Sequence, residues 1–294
     1  TGTLEAASDP RAVWALTSPD ERNWLDQVRA GAGGVLADLA NVHVGVKTTA
    51  DEVFIGSDWE KLPDTHRPEE ALLHPLLGHE NARRWIPTLK GIKLVRILYP
   101  HTVIDGLRQA IDLDDYPRAR AYFESHRERL ASRKYVLAAG RKWYEIWVPQ
   151  DPANWGTLKI VFPDISPGPR FYLDRNGHIV DGDSYWITLH AGIAQDMIYL
   201  LLGLANSRLM RRYHDLAFNN RLYSSRRRYI AQYVTRYPLP RFSGLATQRL
   251  TNAVKECVSE SERAYDPDAV RQFEVTINEL VDQAFGVSSD GEFG

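Results

Sequence analysis

Hydrophobic and polar positions alternate with two different periods along this chain, and the change of period divides it. Trp143 to Val148 alternates with aromatic and β-branched residues. Leu158-Lys159-Ile160-Val161-Phe162 follows, then Phe171-Tyr172-Leu173-Asp174, which turns at Arg175-Asn176-Gly177. These runs predict a middle third made mostly of strands. His43-Val44-Gly45-Val46 and Glu52-Val53-Phe54-Ile55 are short β-rich runs on either side of Lys47-Thr48-Thr49-Ala50-Asp51, which predicts strand, loop, strand. Helical spacing covers Pro117 to Arg133, with Ala121, Tyr122 and Leu130 on one side and Arg120, Arg127 and Glu128 on the other. It returns from Ala194 to Tyr213, from Leu245 to Ala264, and from Pro267 to Phe285 after an Asp266-Pro267 start signal. Strands gathered in the middle and helices at the end imply an α+β fold, a mixed and largely antiparallel β core with flanking helices and a helical C-terminal segment.

Asp-Pro, Ser-Pro-Asp and Gly31-Ala32-Gly33-Gly34 punctuate the first forty residues around a short amphipathic piece at Trp24 to Val28. That pattern reads as a linker over residues 1–35 leading from an upstream domain absent from this chain. A folded domain over 36–241, a helical segment over 242–287 and a frayed tail over 288–294 would follow. The 294 residues, 44% hydrophobic, suffice for a sizeable core. The longest apolar stretch, Met197 to Ala205, falls well short of the roughly 20 residues a membrane span needs. A single cysteine, Cys257, excludes an internal disulfide and a thiolate metal cluster, which suits a reducing cytoplasm.

Charge is segregated. The net charge is −2, yet residues 208–241 hold nine arginines against Asp215 alone, a local +8, and residues 118–142 carry +6, whereas 245–294 carry −6. Two cationic runs imply a polyanionic partner more strongly than one, which solvated helix faces would explain. The usual catalytic patterns are missing: no G-x-x-x-x-G-K-[ST], no G-x-S-x-G and no H-E-x-x-H, and the 31–34 glycines lack the closing Gly or Ala of a dinucleotide fingerprint, Leu36 standing there. The histidines, His74 and His79 included, are too scattered for a metal pair, and Asp181 and Asp183 are explained by a Gly-containing turn.

What the chain does supply is arginine, lysine and hydroxyls interleaved with aromatics. Tyr223-Ser224-Ser225-Arg226-Arg227-Arg228-Tyr229 and Arg141-Lys142-Trp143-Tyr144 concentrate groups that match phosphate oxygens, guanine edges and base faces. Trp147, Trp155 and Trp186 read as sheet core, and Trp143 as the tryptophan placed for stacking.

In order along the chain, several blocks resemble the C-terminal target-recognition domain of TaqI-like, gamma-type adenine-N6 DNA methyltransferases of restriction-modification systems, including those fused to endonucleases. They are Gly45-Val46-Lys47-Thr48-Thr49-Ala50-Asp51-Glu52-Val53-Phe54, Leu76-Leu77-Gly78-His79-Glu80-Asn81-Ala82-Arg83-Arg84-Trp85 and Tyr122 to Leu130 with Arg133. Trp143-Tyr144-Glu145-Ile146, Lys159 to Ser166, Phe171 to Asp174, the Leu201 to Leu209 run with Asn206-Ser207, Tyr237-Pro238-Leu239-Pro240 and Ile277 to Gly286 follow, so that the resemblance spans roughly 36–287. It implies a domain that grips double-stranded DNA and reads its sequence while a catalytic domain flips an adenine and methylates N6 from S-adenosylmethionine. That catalytic half carries an Asn-Pro-Pro-aromatic loop; this chain contains no Pro-Pro pair, so catalysis and the cofactor are expected outside these residues, with no metal here.

The implied DNA contacts are Lys47, Thr48, Arg83, Arg84, Arg133, Arg141, Lys142, Trp143, Ser224, Arg226, Arg227 and Arg228. Lys47 and Arg141 are expected at base edges, because they adjoin sheet loops, and Arg226 to Arg228 on phosphates. The alternatives are a stand-alone specificity subunit that recruits a separate catalytic chain, and a protein-interaction module whose arginines bind an acidic partner.

Overall fold

The computed structural model of the chain describes residues 3–4, 16–89, 91, 95–218, 222, 225–241 and 244–287. Its centre is a four-stranded antiparallel sheet in the order Tyr172–Asp174, Lys159–Pro163, Ser184–Leu189, Ala40–Val44. Both faces of this sheet are covered, which is why Ile160-Val161-Phe162 is continuously apolar rather than alternating with polar residues. Ile160, Phe162, Leu173 and Ile187 point into one core, and Val161, Tyr172 and Trp186 into another.

Helices fill the first core: Pro19–Gly31, Met197–Asn206, Arg208–Phe218, Gly244–Arg263 and Pro267–Phe285. Residues 19–35, expected within a linker, supply Leu25 and Val28 to this core, and Ala32–Val35 pairs with Pro238–Pro240. The 31–34 glycines serve close packing: a Cβ at Gly31 would overlap the Phe285 carbonyl, and one at Gly33 would crowd Arg241. The two C-terminal helices share buried Val254, Cys257, Ile277 and Val281 with the Met197–Asn206 helix and are integral to the same core.

The second core lies between the central sheet and a smaller mixed sheet, Ile179–Val180, Leu73–Leu77, Arg96–Leu98 and Ile55–Gly56, with the 117–131 region packed beside it. Trp155 and Trp186 are buried in this core and tilt against each other with ring centres 5.0 Å apart, as sheet-core tryptophans should. Across the central sheet, Lys159 and Asp174 form a fully buried ion pair at 2.7 Å. His178 donates a further contact to Asp174 at 2.6 Å, and Lys159 donates to the Trp155 carbonyl at 2.7 Å. Burial opposes ionisation of Asp174, but His178 and Lys159 outweigh it and hold the carboxyl below its ordinary value.

Four expected elements differ, each for a local reason. Asp51–Phe54 is a short helix, not a strand, because the Thr48 hydroxyl takes the Ala50 N–H at 3.1 Å and starts a turn. The 117–133 helix divides into Pro117–Ser125 and Arg127–Ala131, where the Ser125 hydroxyl bonds back to the Tyr122 carbonyl at 2.7 Å. The 194–213 helix divides at Ser207, whose hydroxyl accepts the Met210 N–H at 3.0 Å and so caps the second helix. Trp143 to Val148 is not a strand; its sole ladder contact among the described residues is the Lys47–Val148 bridge.

Candidate nucleic-acid interface

One end of the central sheet gathers segments that are distant in sequence. The Ala40–Val44 and Lys159–Pro163 strands finish there, and the Tyr172–Asp174 and Ser184–Leu189 strands begin there. The 45–50 loop leaves this end lying on the 180–182 backbone: Val46 N–H bonds the Val180 carbonyl at 2.8 Å, and a Cβ at Gly45 would overlap the Asp181 carbonyl. Gly45 is therefore required by close approach of two backbones. Lys47 then exchanges both backbone bonds with Val148 at 3.0 Å, which leaves its side chain exposed.

The loop's apex is strained. Thr49 has φ +61°, an outlying conformation for a β-branched residue, and Trp85, Gln150 and Ser225 share positive φ. All four border this end of the sheet: Gln150 bonds the Val44 carbonyl at 2.7 Å, Trp85 bridges to Tyr172, and Ser225 accepts from Arg227 at 3.1 Å.

Below the loop sit groups that hold it. Thr48, buried, hydrogen-bonds Asp51, and its carbonyl accepts from Arg133 at 2.8 Å. Arg133 is itself buried and also donates to the carbonyls of Leu130, at 3.1 Å, and Trp143, at 2.7 Å. Arg141 turns inward onto the carbonyls of Ile146 and Trp147, with its guanidinium 5.2 Å from the Trp147 ring centre. These two arginines occupy carbonyls that a neighbouring strand would otherwise bond, so that 143–147 is strand-like in sequence pattern yet joins no sheet. Thr48, Arg133 and Arg141, expected as DNA contacts, are thus bonded within the scaffold of the loop in this structure, with Arg141, expected at a base edge, on the Ile146 and Trp147 carbonyls.

Asp181, Asp183, Asp51 and His79 lie beside the loop. Asp183 pairs with His79 Nδ1 and accepts the His79 N–H at 3.2 Å. Asp181 is raised to about 6, first by burial and then by the neighbouring Asp183. Among the described residues no group of three or more His, Cys, Asp or Glu is placed to hold a metal.

The arginine run beyond residue 225 divides in the same way. Arg227 is buried, forms a two-pronged ion pair with Asp215 (Nη2 to Oδ2 2.7 Å), and also bonds the Pro167 carbonyl. Arg227, expected on a phosphate, is turned inward here at 5% exposure. Arg228 is exposed at its edge but pairs with Asp164 at 2.6 Å. Arg226 is exposed, and Ser224 lies outside the described residues. Lys142 is exposed with its ammonium 5.6 Å from the Tyr144 ring; Trp143 is half-buried, and the Arg127 guanidinium covers it at 4.7 Å. A base would have to displace Arg127 to stack there.

Continuing past Pro167, a cleft of about 860 Å³ opens between the 82–88 loop, the 167–170 loop, the junction of the Met197–Asn206 and Arg208–Phe218 helices, and the Pro267–Phe285 helix. Arg83 and Arg84 line it. Arg83 lies 3.5 Å over the Tyr265 ring, and Arg84 pairs with Glu274 at 3.0 Å. At the helix junction Asn206 grips the Phe171 backbone with both ends of its amide, accepting at 3.0 Å and donating at 2.8 Å. The Asn206-Ser207 pair therefore ties the helical layer to the sheet end and caps the next helix, a structural task that the sequence block did not reveal.

The chain is 41% identical over 288 residues to the Type II methyltransferase M.BanIII of Aneurinibacillus aneurinilyticus, a match that covers 97% of this chain and 49% of that protein. M.PaeR7I of Pseudomonas aeruginosa is 27% identical over 259 residues, covering 85% of this chain and 42% of that protein. M.BstVI of Geobacillus stearothermophilus is 23% identical over 280 residues, covering 91% and 45% respectively. The chain thus spans about half the length of the curated relatives it matches. No family model matches it. In fold it is similar to part of the Type IIL restriction-modification enzyme MmeI, whose structure was solved with DNA (TM-score 0.64, 15% identity, 88% of this chain, 34% of that one). It is also similar to part of the type IIG restriction endonuclease BpuSI (TM-score 0.50, 13% identity, 90% and 32%). The chain is homologous to one portion of Type II methyltransferases. Among its described residues, no helix is long and apolar enough to cross a membrane.

Proposed function

We propose that this chain is the target-recognition part of a site-specific adenine-N6 DNA methyltransferase of a restriction-modification system, reading double-stranded DNA for a catalytic part outside these residues. The observation that carries this reading is the sheet end. Lys47 stands exposed on a loop whose backbone is fixed by Gly45, Thr48 and the buried Arg133, next to the strained Thr49. Reading base edges needs donors held on a rigid support, because each correct pairing discriminates by only about 1–3 kcal/mol and a loose donor forfeits it. The match to about half of each Type II methyltransferase supports a division of labour with a catalytic portion.

In that division the present residues hold the duplex against the few kcal/mol that flipping a base costs. Lys47, together with Lys142 and Arg226, is the exposed cationic set along this edge. The methyl donor S-adenosylmethionine belongs with the catalytic part.

Binding of the 294-residue chain to a randomised duplex pool, followed by selection at low and moderate salt, tests the proposal. The expected result is a short adenine-containing site that survives the higher salt and is lost in Lys47→Ala. Enrichment of no sequence, with binding lost steeply as salt rises, would sink the recognition role.

A further inference from the structure

The 860 Å³ cleft is more cationic than its sequence origins indicate, because it collects arginines from four separate segments: Arg83 and Arg84, Arg170, Arg208 and Arg211, and Arg271. Glu274 is the one acid lining it, and that carboxylate is already held by Arg84 at 3.0 Å and by the Trp85 indole N–H at 2.9 Å. Two further arginines are paired from outside the cleft, Arg208 with Asp282 at 3.2 Å and Arg271 with Asp268. Arg170 and Arg211 are exposed and have no side-chain partner among the described residues. Arg83 Nε is buried without a hydrogen-bond partner.

Gathering like charges in a concavity costs free energy that an anion recovers, and low-dielectric walls focus the field inward. Pro167 and Pro169 wall one side and carry no backbone N–H. Tyr265 is the aromatic residue that lines the cleft, and Arg83 already covers its face. With one face of that ring occupied and six arginines in the lining, a ligand here would be recognised chiefly through phosphate. The cleft also joins the sheet end directly, since the Pro167 carbonyl accepts from Arg227 and Phe171 is tied to Asn206.

We propose that this cleft is a sequence-independent phosphate site, centred on Arg170, Arg211 and Arg83, that holds a sugar-phosphate strand of the same DNA whose bases meet the Lys47 loop. The proposal rests on the DNA-reading function proposed above for the choice of DNA as the source of the phosphate, but not for the anion site itself.

Two measurements separate these claims. In the first, duplex affinity is followed against salt for the 294-residue chain and for Arg170→Ala/Arg211→Ala. The slope of log affinity against log salt should shallow by about 2, one per lost phosphate contact, with the selected sequence unchanged. Arg170→Lys/Arg211→Lys, which keeps both charges, should restore most of the slope. An unchanged slope in the alanine variant, with the parent chain still binding duplex, overturns the cleft site and leaves DNA reading standing. In the second, thermal stability is measured with inorganic pyrophosphate, which should raise the melting temperature of the parent chain and not that of the alanine variant. If duplex does not bind the parent chain but pyrophosphate stabilises it through these two arginines, the DNA strand is overturned as the source. If pyrophosphate also has no effect, the anion site is overturned.

Discussion

Arg133 and Arg211 come from the two most basic segments of the chain, 118–142 and 208–241. By charge count they are equivalent, but the fold uses them oppositely. Arg133 is 3% exposed and spends its guanidinium on the carbonyls of Leu130, Thr48 and Trp143. Arg211 stands exposed in a cleft with no side-chain partner among the described residues. In the first segment two arginines, Arg133 and Arg141, bond carbonyls of the 143–147 backbone, while Arg118, Arg120, Arg127 and Arg129 pair with carboxylates. The second segment turns Arg227 inward in the same way and also contributes uncommitted charge to a concave surface. A guanidinium has five donors in a rigid fork, so it serves equally well as an internal cross-link and as an anion receptor. Which task it performs depends on whether carbonyls or water surround it.

Substitutions at the committed arginines and at the exposed cations should separate these two uses. Arg227→Ala should have the largest effect, because it removes a buried guanidinium that pairs with Asp215 and bonds the Pro167 carbonyl, a loss of about 3–5 kcal/mol that urea unfolding would read. Equal stability of variant and parent would mean that Arg227 is not an internal cross-link. Arg133→Ala should cost roughly 2–4 kcal/mol by removing a buried guanidinium that cross-links the Leu130, Thr48 and Trp143 carbonyls, and Arg133→Lys should recover little of it, since one ammonium cannot reach three carbonyls in a planar fork. Full recovery by lysine would show that charge alone matters there.

Asp181 gives a smaller, pH-dependent effect. Its carboxyl is raised to about 6, so the folded chain binds this proton more tightly than the unfolded chain does. Stability from this group therefore falls as pH rises from about 4 to about 6, and the full penalty persists above that window. Asp181→Asn should raise the melting temperature at pH 8 and change it little at pH 4. An equal effect at both would assign the gain to packing instead of charge. Lys47→Ala should be the mildest for stability, within about 0.5 kcal/mol, while altering DNA selection. A marked stability loss there would place Lys47 with the scaffold arginines.

The amino-acid sequence by itself determined the α+β class, the buried central strands and the C-terminal helices. Those features follow from local periodicity: Ile160-Val161-Phe162 must be covered on both sides, and Pro267 to Phe285 presents one apolar stripe. It also carried a resemblance to restriction-modification methyltransferases, and the chain is 41% identical over 288 residues to the Type II methyltransferase M.BanIII. Only the tertiary structure decided that the 143–147 segment joins no sheet, since carbonyls bonded by Arg133 and Arg141 do not register in any period. Only the tertiary structure drew Arg170 beside Arg211 and Arg83, because the 167–170 turn, the helix junction and the 82–88 loop meet through Phe171, Asn206 and Trp85. Periodicity records which face of an element is buried. It does not record which long polar side chains turn inward to meet backbone groups from elsewhere, because that choice depends on carbonyls left unbonded after all the elements have packed.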